Sequence, residues 1–402
     1  MSGGGGSDDT IFGGPGDDSI SGSGDDTIDG GDGDDTISGG TTDDSIFGGP
    51  GDDSISGGGG GDSVDGGEGN DSIRGGSDND SIFGGPGDDS ISGGGGQDTL
   101  SGGDGNDSIA GGSDGDESIV GGGGDDTLST GGGSDDSIFG SAGNDLMVVD
   151  GDAVKIFGGA ELPGDPASED EVLIERDADI SIADGSLTGE AVITVGGVPV
   201  ALLTDVDRAT LIGGPSGNVL SANGFSGDVY LRGLAGDDTL DGASGSDEIE
   251  GGPGNDVSDG RGGDDIYLFV GREDLGTDLI AESGSSPGDT LDFFGLGGAV
   301  TIDLSVSGVQ PVAAGLLALD LANPAAIENV TGSVFADTLL GNGADNTVVG
   351  GGGLDFVYGA GGDDYLTATR SRLVFLDFET ATDLADHDYT IDERNQICLL
   401  YT

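Results

Sequence analysis

A large aliphatic residue returns every nine positions through the first third of the chain, separated by glycine, Asp, Ser and Thr. Taking every second one gives a column of Ile28, Ile46, Val64, Ile82 and Leu100, each 18 residues after the last. The remaining ones give Ile37, Ile55, Ile73, Ile91 and Ile109, with the same step. Both columns slip together by one residue at Ile119 and Leu128, after an extra residue near Glu117, and again at Ile138 and Met147, after Thr130. Insertions that displace both columns equally are tolerated where the chain turns. The pattern therefore predicts a coil of 18 residues: turn, short strand, turn, short strand. Each strand would point one aliphatic inward from between β-permissive Ser and Thr, and the coils would stack as two parallel sheets. The predicted fold is an all-β parallel solenoid.

The residues between the aliphatics repeat as well. From 3 to 149 the chain reads as about sixteen copies of GGxGxDxUx, where U is the aliphatic; GGPGDDSIS (Gly13 to Ser21) and GGEGNDSIR (Gly66 to Arg74) fit at every defined position. This nonapeptide resembles the RTX, or hemolysin-type calcium-binding, repeat family, and the resemblance implies a parallel β-roll holding many calcium ions in its glycine-rich turns. The physical tasks of the residues agree. Glycine permits positive φ and close backbone approach, and its turn exposes carbonyl oxygens. Calcium takes six to eight oxygen ligands from carbonyls and carboxylates, and the sixth-position Asp supplies the charge. Histidine and cysteine, ligands for softer ions, are missing from the arrays. The candidate ligands in the first block are Asp18, Asp26, Asp35, Asp44, Asp53, Asp62, Asp71 and Asp80, continuing through Asp89, Asp98, Asp107, Asp116, Asp126, Asp136 and Asp145. Asp17, Asp34 and Asp52, at position five, are expected to face solvent.

Past the first array the pattern changes. Residues 150–210 alternate apolar with polar and lack the glycine turns, which predicts strands in wider coils or hairpins without calcium; a small inserted β-sandwich is the alternative. The nonapeptide returns in 211–270, with Asp238, Asp247, Asp256 and Asp265 as candidate ligands, Asn218 in an Asp place and Ser258 in an aliphatic one. A β-rich continuation over 271–327 leads to a third block, 328–368, with Asp337, Asp355 and Asp364 and with Asn346 replacing Asp. Residues 369–402 differ in character and read as a terminal cap or the start of another domain. A longer period near 36 residues places Phe12, Phe47 and Phe83 in an outward row, read as duplicated sequence or as a docking stripe.

Charge decides what such a chain can meet. Ten Lys and Arg against 79 Asp and Glu give a net charge of −69, which repels nucleic acid and anionic membrane and attracts cations. No run of about eighteen apolar residues is present, so direct membrane insertion is not expected. The opening residues lack the features of a signal peptide. The lone Cys398 forms no intrachain disulfide. With coils about 4.8 Å apart, neighbouring turn carboxylates repel by about 0.9 kcal/mol at the dielectric of water and about 3.5 kcal/mol at an effective value near 20. Each coil buries only two aliphatics against this, so metal binding should be folding free energy.

Catalytic signals fail. His387 is the only histidine, GGSDG at Gly111 and GSSPG at Gly284 match GxSxG without a strand-to-helix setting, and no EF-hand loop is present. The leading expectation is a non-enzymatic calcium-binding protein, secreted or at a bacterial cell surface, with a structural or adhesive role. The resemblance implies type I secretion and folding on external calcium. The partners are calcium ions, joined by a laterally packed copy or a surface ligand where there is one. The alternative is the repeat portion of a larger secreted hydrolase, and a third option is ice or mineral binding.

Overall fold

In the computed structural model, the described residues are 8–149, 154–158, 170–367 and 374–375, apart from 114, 134–135, 177, 179, 185–189, 205, 285 and 287. The chain divides into two compact units: Met1–Ile174, Asp184–Thr194 and Val198–Ala209 form the first, and Glu175–Ala183, Val195–Gly197 and Thr210–Thr402 the second. Each is a parallel β-solenoid. Among the described residues the only helical element is the 3-10 turn Pro324–Ala326, and no helix is long and apolar enough to cross a membrane.

The first unit has the coil that the aliphatic spacing predicts. Ile28 pairs with Ile46, Ile46 with Val64, and Leu100 with Ile119 in one sheet. Ile37 pairs with Ile55 and Ile109 with Leu128 in the other. Every aliphatic of both columns is buried. The strands are longer than the Ser/Thr–aliphatic triplet alone suggests: Ser45–Pro50 and Ser72–Ser77 run on through the two glycines of the next repeat. Those glycines can carry the pairing on across the stack because nothing projects from them. A Cβ on Gly67 would collide with the backbone of Gly49 in the coil below.

Phe12, Phe47 and Phe83 are exposed on one sheet face, as the period near 36 residues predicts. They do not touch one another in register, because Asp29 and Asp65 lie between them. The apolar row is therefore broken by acids. Further along, Phe139 stacks on Phe157 with ring centroids 4.6 Å apart.

Between the glycine blocks the solenoid continues with different filling. Val154–Phe157 pairs in parallel with Ala201–Thr204, and Ile180 pairs with Leu220. In the second unit strands shorten to three residues, such as Thr239–Asp241 and Glu248–Glu250. Larger side chains compensate: Tyr267 and Phe293 are fully buried, and Phe293 stacks on Phe269 at 5.0 Å. An antiparallel pair, Gly308–Ala313 with Leu317–Leu321, interrupts the parallel order. Residues 369–402, His387 and Cys398 included, lie outside the described residues apart from 374–375.

Candidate metal centre

The sixth-position aspartates form two columns in the first unit, and each rung is tied to the next through its backbone. The amide of Asp26 donates to Oδ1 of Asp44 at 2.8 Å, and the series continues through Asp62, Asp80 and Asp98. The second column runs from Asp18 through Asp35, Asp53, Asp71, Asp89, Asp107, Asp126 and Asp145 in the same manner. One oxygen of each accepting carboxylate is thereby satisfied.

In most of them the other oxygen is not. Oδ2 of Asp35, Asp44, Asp53, Asp62, Asp71 and Asp80 is buried without a hydrogen-bond partner, and so is that of Asp89, Asp107, Asp126, Asp136 and Asp145. A Cβ on Gly39 would strike both Asp44 Oδ2 and the carbonyl oxygen of Gly57, and Gly57 and Gly66 stand in the same relation to Asp62 and Asp71. The glycine thus vacates a space where a carboxylate oxygen and a carbonyl oxygen from the next coil converge. A carboxylate oxygen with no donor beside a carbonyl oxygen is a setting for a hard cation. Burial, then the charges of neighbouring rungs, pushes Asp53 up to about 6 and Asp71 and Asp126 up to about 7. A protonated turn is what the fold offers when no ion balances the charge.

Position two of the turn decides whether that oxygen stays open. Where it is left-handed, as at Gly31 (φ 110°), Gly49 (φ 114°) and Gly67 (φ 116°), Oδ2 of Asp35, Asp53 and Asp71 has no donor. The same holds where the residue is not glycine: Ser141 (φ 93°) precedes the open Asp145, and Arg261 (φ 73°) the open Asp265. Ser23, Ala243 and Ser333 are not left-handed. Their amides turn inward and donate to Oδ2 of Asp26, Asp247 and Asp337 at 2.8, 2.6 and 2.7 Å. Asn218 and Asn346 sit in the same closed arrangement, accepting from Gly214 and Asn342. An amide side chain carries no charge, so these turns need no ion.

Most sequence-predicted ligands occupy their columns, those of the degenerate turns at Asp44 and Asp80 included. In the later blocks Asp238 accepts from Asn218, Asp256 from Asp238, Asp355 from Asp337 and Asp364 from Asn346. Asp116 is the correction. It is exposed and accepts from Gln97 Nε2 at 3.3 Å, while Glu117 is buried and takes the column place, its amide donating to Asp136. The extra residue in that turn moves the strand start by one, and the acid directly before Ser118 follows it inward. Burial and the Asp136 carboxylate push Glu117 up to about 8.

Four further acids lie on the columns without a nonapeptide around them. Asp170 accepts from Asp145, Asp278 from Asp256, Asp289 from Asp265, and Glu328 from Asp289. All four, like Glu117, stand two residues before a buried aliphatic: Val172, Ile280, Leu291, Val330 and Ile119. That acid-x-aliphatic spacing is the signal the glycine pattern conceals. Position five makes a second ladder, exposed and of opposite sense, in which the Asp52 amide donates to Asp34 and the Asn70 amide to Asp52.

A profile of the RTX calcium-binding nonapeptide repeat matches overlapping stretches covering 3–156, and again 226–267 and 331–366, more than half of the chain. The chain belongs to this family. No individual curated protein matches it. RTX repeats bind calcium, which is the hard divalent ion that the open turns suit, and the matched stretches carry nearly all of the open carboxylates. The unmatched segments between the matched blocks, 157–225 and 268–330, include the antiparallel pair Gly308–Ala313 with Leu317–Leu321.

Proposed function

We propose that this RTX protein is a non-enzymatic, calcium-folded solenoid that works outside the cell in a structural or adhesive role. The observation that carries the reading is the row of buried Oδ2 atoms without donors. In the metal-free chain these carboxylates must repel one another, take up protons or stay apart. A chain this acidic would remain expanded where calcium is scarce, and would pass an export channel unfolded. At the millimolar-range calcium that extracellular modules use, ions in the open turns would hold the coils together. The closed turns at Asp26, Asp247 and Asp337 would contribute least to calcium affinity.

The test is rapid dilution of denatured chain into chelator or into millimolar calcium, followed by small-angle scattering. Collapse only in calcium supports the proposal; equal collapse in both arms contradicts it. The structural role is tested by assaying the calcium-loaded chain against peptide and ester substrates. No turnover is expected, and turnover abolished by substituting His387 would overturn the reading.

A further inference from the structure

We infer that Asp265, the last turn acid of the second matched block, joins Glu282 and Asp289, which lie beyond that block, in a site for a calcium-class cation. The coil spacing creates it. Ile266 pairs with Thr290, a step of 24 residues in place of 18. The longer excursion folds Glu282 back over the stack, where one oxygen from each of the three carboxylates lies within 4.8 Å of the others. All three residues are buried to within 1% exposure.

The two aspartates are each held by the protein through one oxygen only. Asp265 Oδ1 accepts the Asp247 amide and Asp289 Oδ1 accepts the Asp265 amide, both at 2.9 Å, while Oδ2 of each is buried with no partner. Glu282 is clamped at both oxygens: Gly284 donates its amide to Oε1 at 2.6 Å, and the Tyr267 hydroxyl donates to Oε2. The Gly260 amide in turn donates to the Tyr267 hydroxyl at 2.7 Å, which fixes that hydroxyl toward Glu282. The nearby Arg261 guanidinium is engaged by Asp241. Three negative groups thus face one another with neutral donors at their backs. An all-oxygen set without nitrogen or sulfur selects a hard ion, and its mixed Asp and Glu reach fits the adaptable coordination of calcium better than the strict octahedron of magnesium.

Glu282 lies in no repeat, so this site shares the hard-oxygen chemistry proposed for the turns but not their role in folding the array. Its ion would pin the 271–288 excursion to the stack. Tyr267 provides the readout, since a tyrosine beside a bound lanthanide sensitises its emission. Terbium, substituted for calcium on the full chain, should give a tyrosine-excited emission step. Y267F, which keeps all three carboxylates, and E282Q, which keeps the tyrosine, should each lose that step, and D53N should retain it. Persistence of the step in Y267F overturns the inference even where E282Q fails to fold, and so does persistence in an E282Q chain with wild-type circular dichroism. Failure of the turn proposal would look different: backbone circular dichroism would not respond to calcium in any variant, while the emission step would still depend on Glu282.

Discussion

The array at 8–149 and the later coils at 210–367 each form a parallel solenoid, but the array leaves nearly every turn carboxylate open whereas the later coils mix open turns with closed ones. In the first, turns are nearly all glycine at position two, strands extend to six residues, and the carboxylate row is left open. In the second, amides close the carboxylate at Asp247 and Asp337 and an Asn removes the charge at Asn346, while Asp256, Asp265 and Asp355 stay open; most strands shrink to three residues, and aromatic side chains fill the core. A stack of short coils can be held by ions between its turns or by its own amides and apolar packing. The difference turns on the handedness of one residue per repeat.

The largest expected effect follows from removing calcium. In chelator, hydrogen exchange should be fast at every strand of 8–149, whereas amides around Leu291 and Val330 should keep measurable protection, because the core there includes Tyr267, Phe269 and Phe293. Equal loss in both regions would break the comparison. Next comes the glycine itself. Gly49→Ala puts a Cβ against the Gly31 carbonyl at a φ of 114°; the backbone conformation alone costs about 1–3 kcal/mol, and a drop of more than about 5 °C in the calcium-loaded melting temperature is expected. Ala243→Gly should be far milder, since Ala243 is not left-handed.

Acidity should act in opposite directions on the two ligand states. Burial and neighbouring charge raise Asp62 to about 6 and Asp80 to about 7 in the fold, above the unfolded value near 3.9. A raised carboxylate stabilises the metal-free fold fully below the unfolded value, and that contribution is lost as pH rises through the folded one. Chain in chelator should therefore gain β-structure as pH falls from about 7 toward 4, while calcium affinity weakens over the same range because protons compete. The smallest effect concerns Leu234, which is left-handed at φ 74°. Leu234→Gly should relieve that strain and stabilise the calcium-loaded second unit by about 1 kcal/mol or less, after the entropy cost of glycine, measured by thermal melting.

Much of this was legible in the residues, and the limits have physical causes. The 18-residue coil followed from the aliphatic columns because one buried side chain per strand leaves no other register. The ligand columns followed from the Asp beside each glycine turn. Glu117 was hidden because an insertion moved the acid next to the strand, and Asp278 and Asp289 because their turns are not glycine-rich. The open and closed states were hidden because Ser23 and Ser141 are both serine at position two, yet stacking makes only Ser141 left-handed. The convergence of Glu282 on Asp265 depended on how a long excursion folds back, which no local spacing records.

The central claim is that the open carboxylate rows cannot stack without cations between them. It is tested most directly by following far-ultraviolet circular dichroism as calcium is added to chain stripped with EDTA at low ionic strength, with protease susceptibility measured at both ends. The account predicts coil and rapid digestion at the start, then a cooperative rise in β-structure and protection. A chain already β-rich, compact and protease-resistant in EDTA would contradict it.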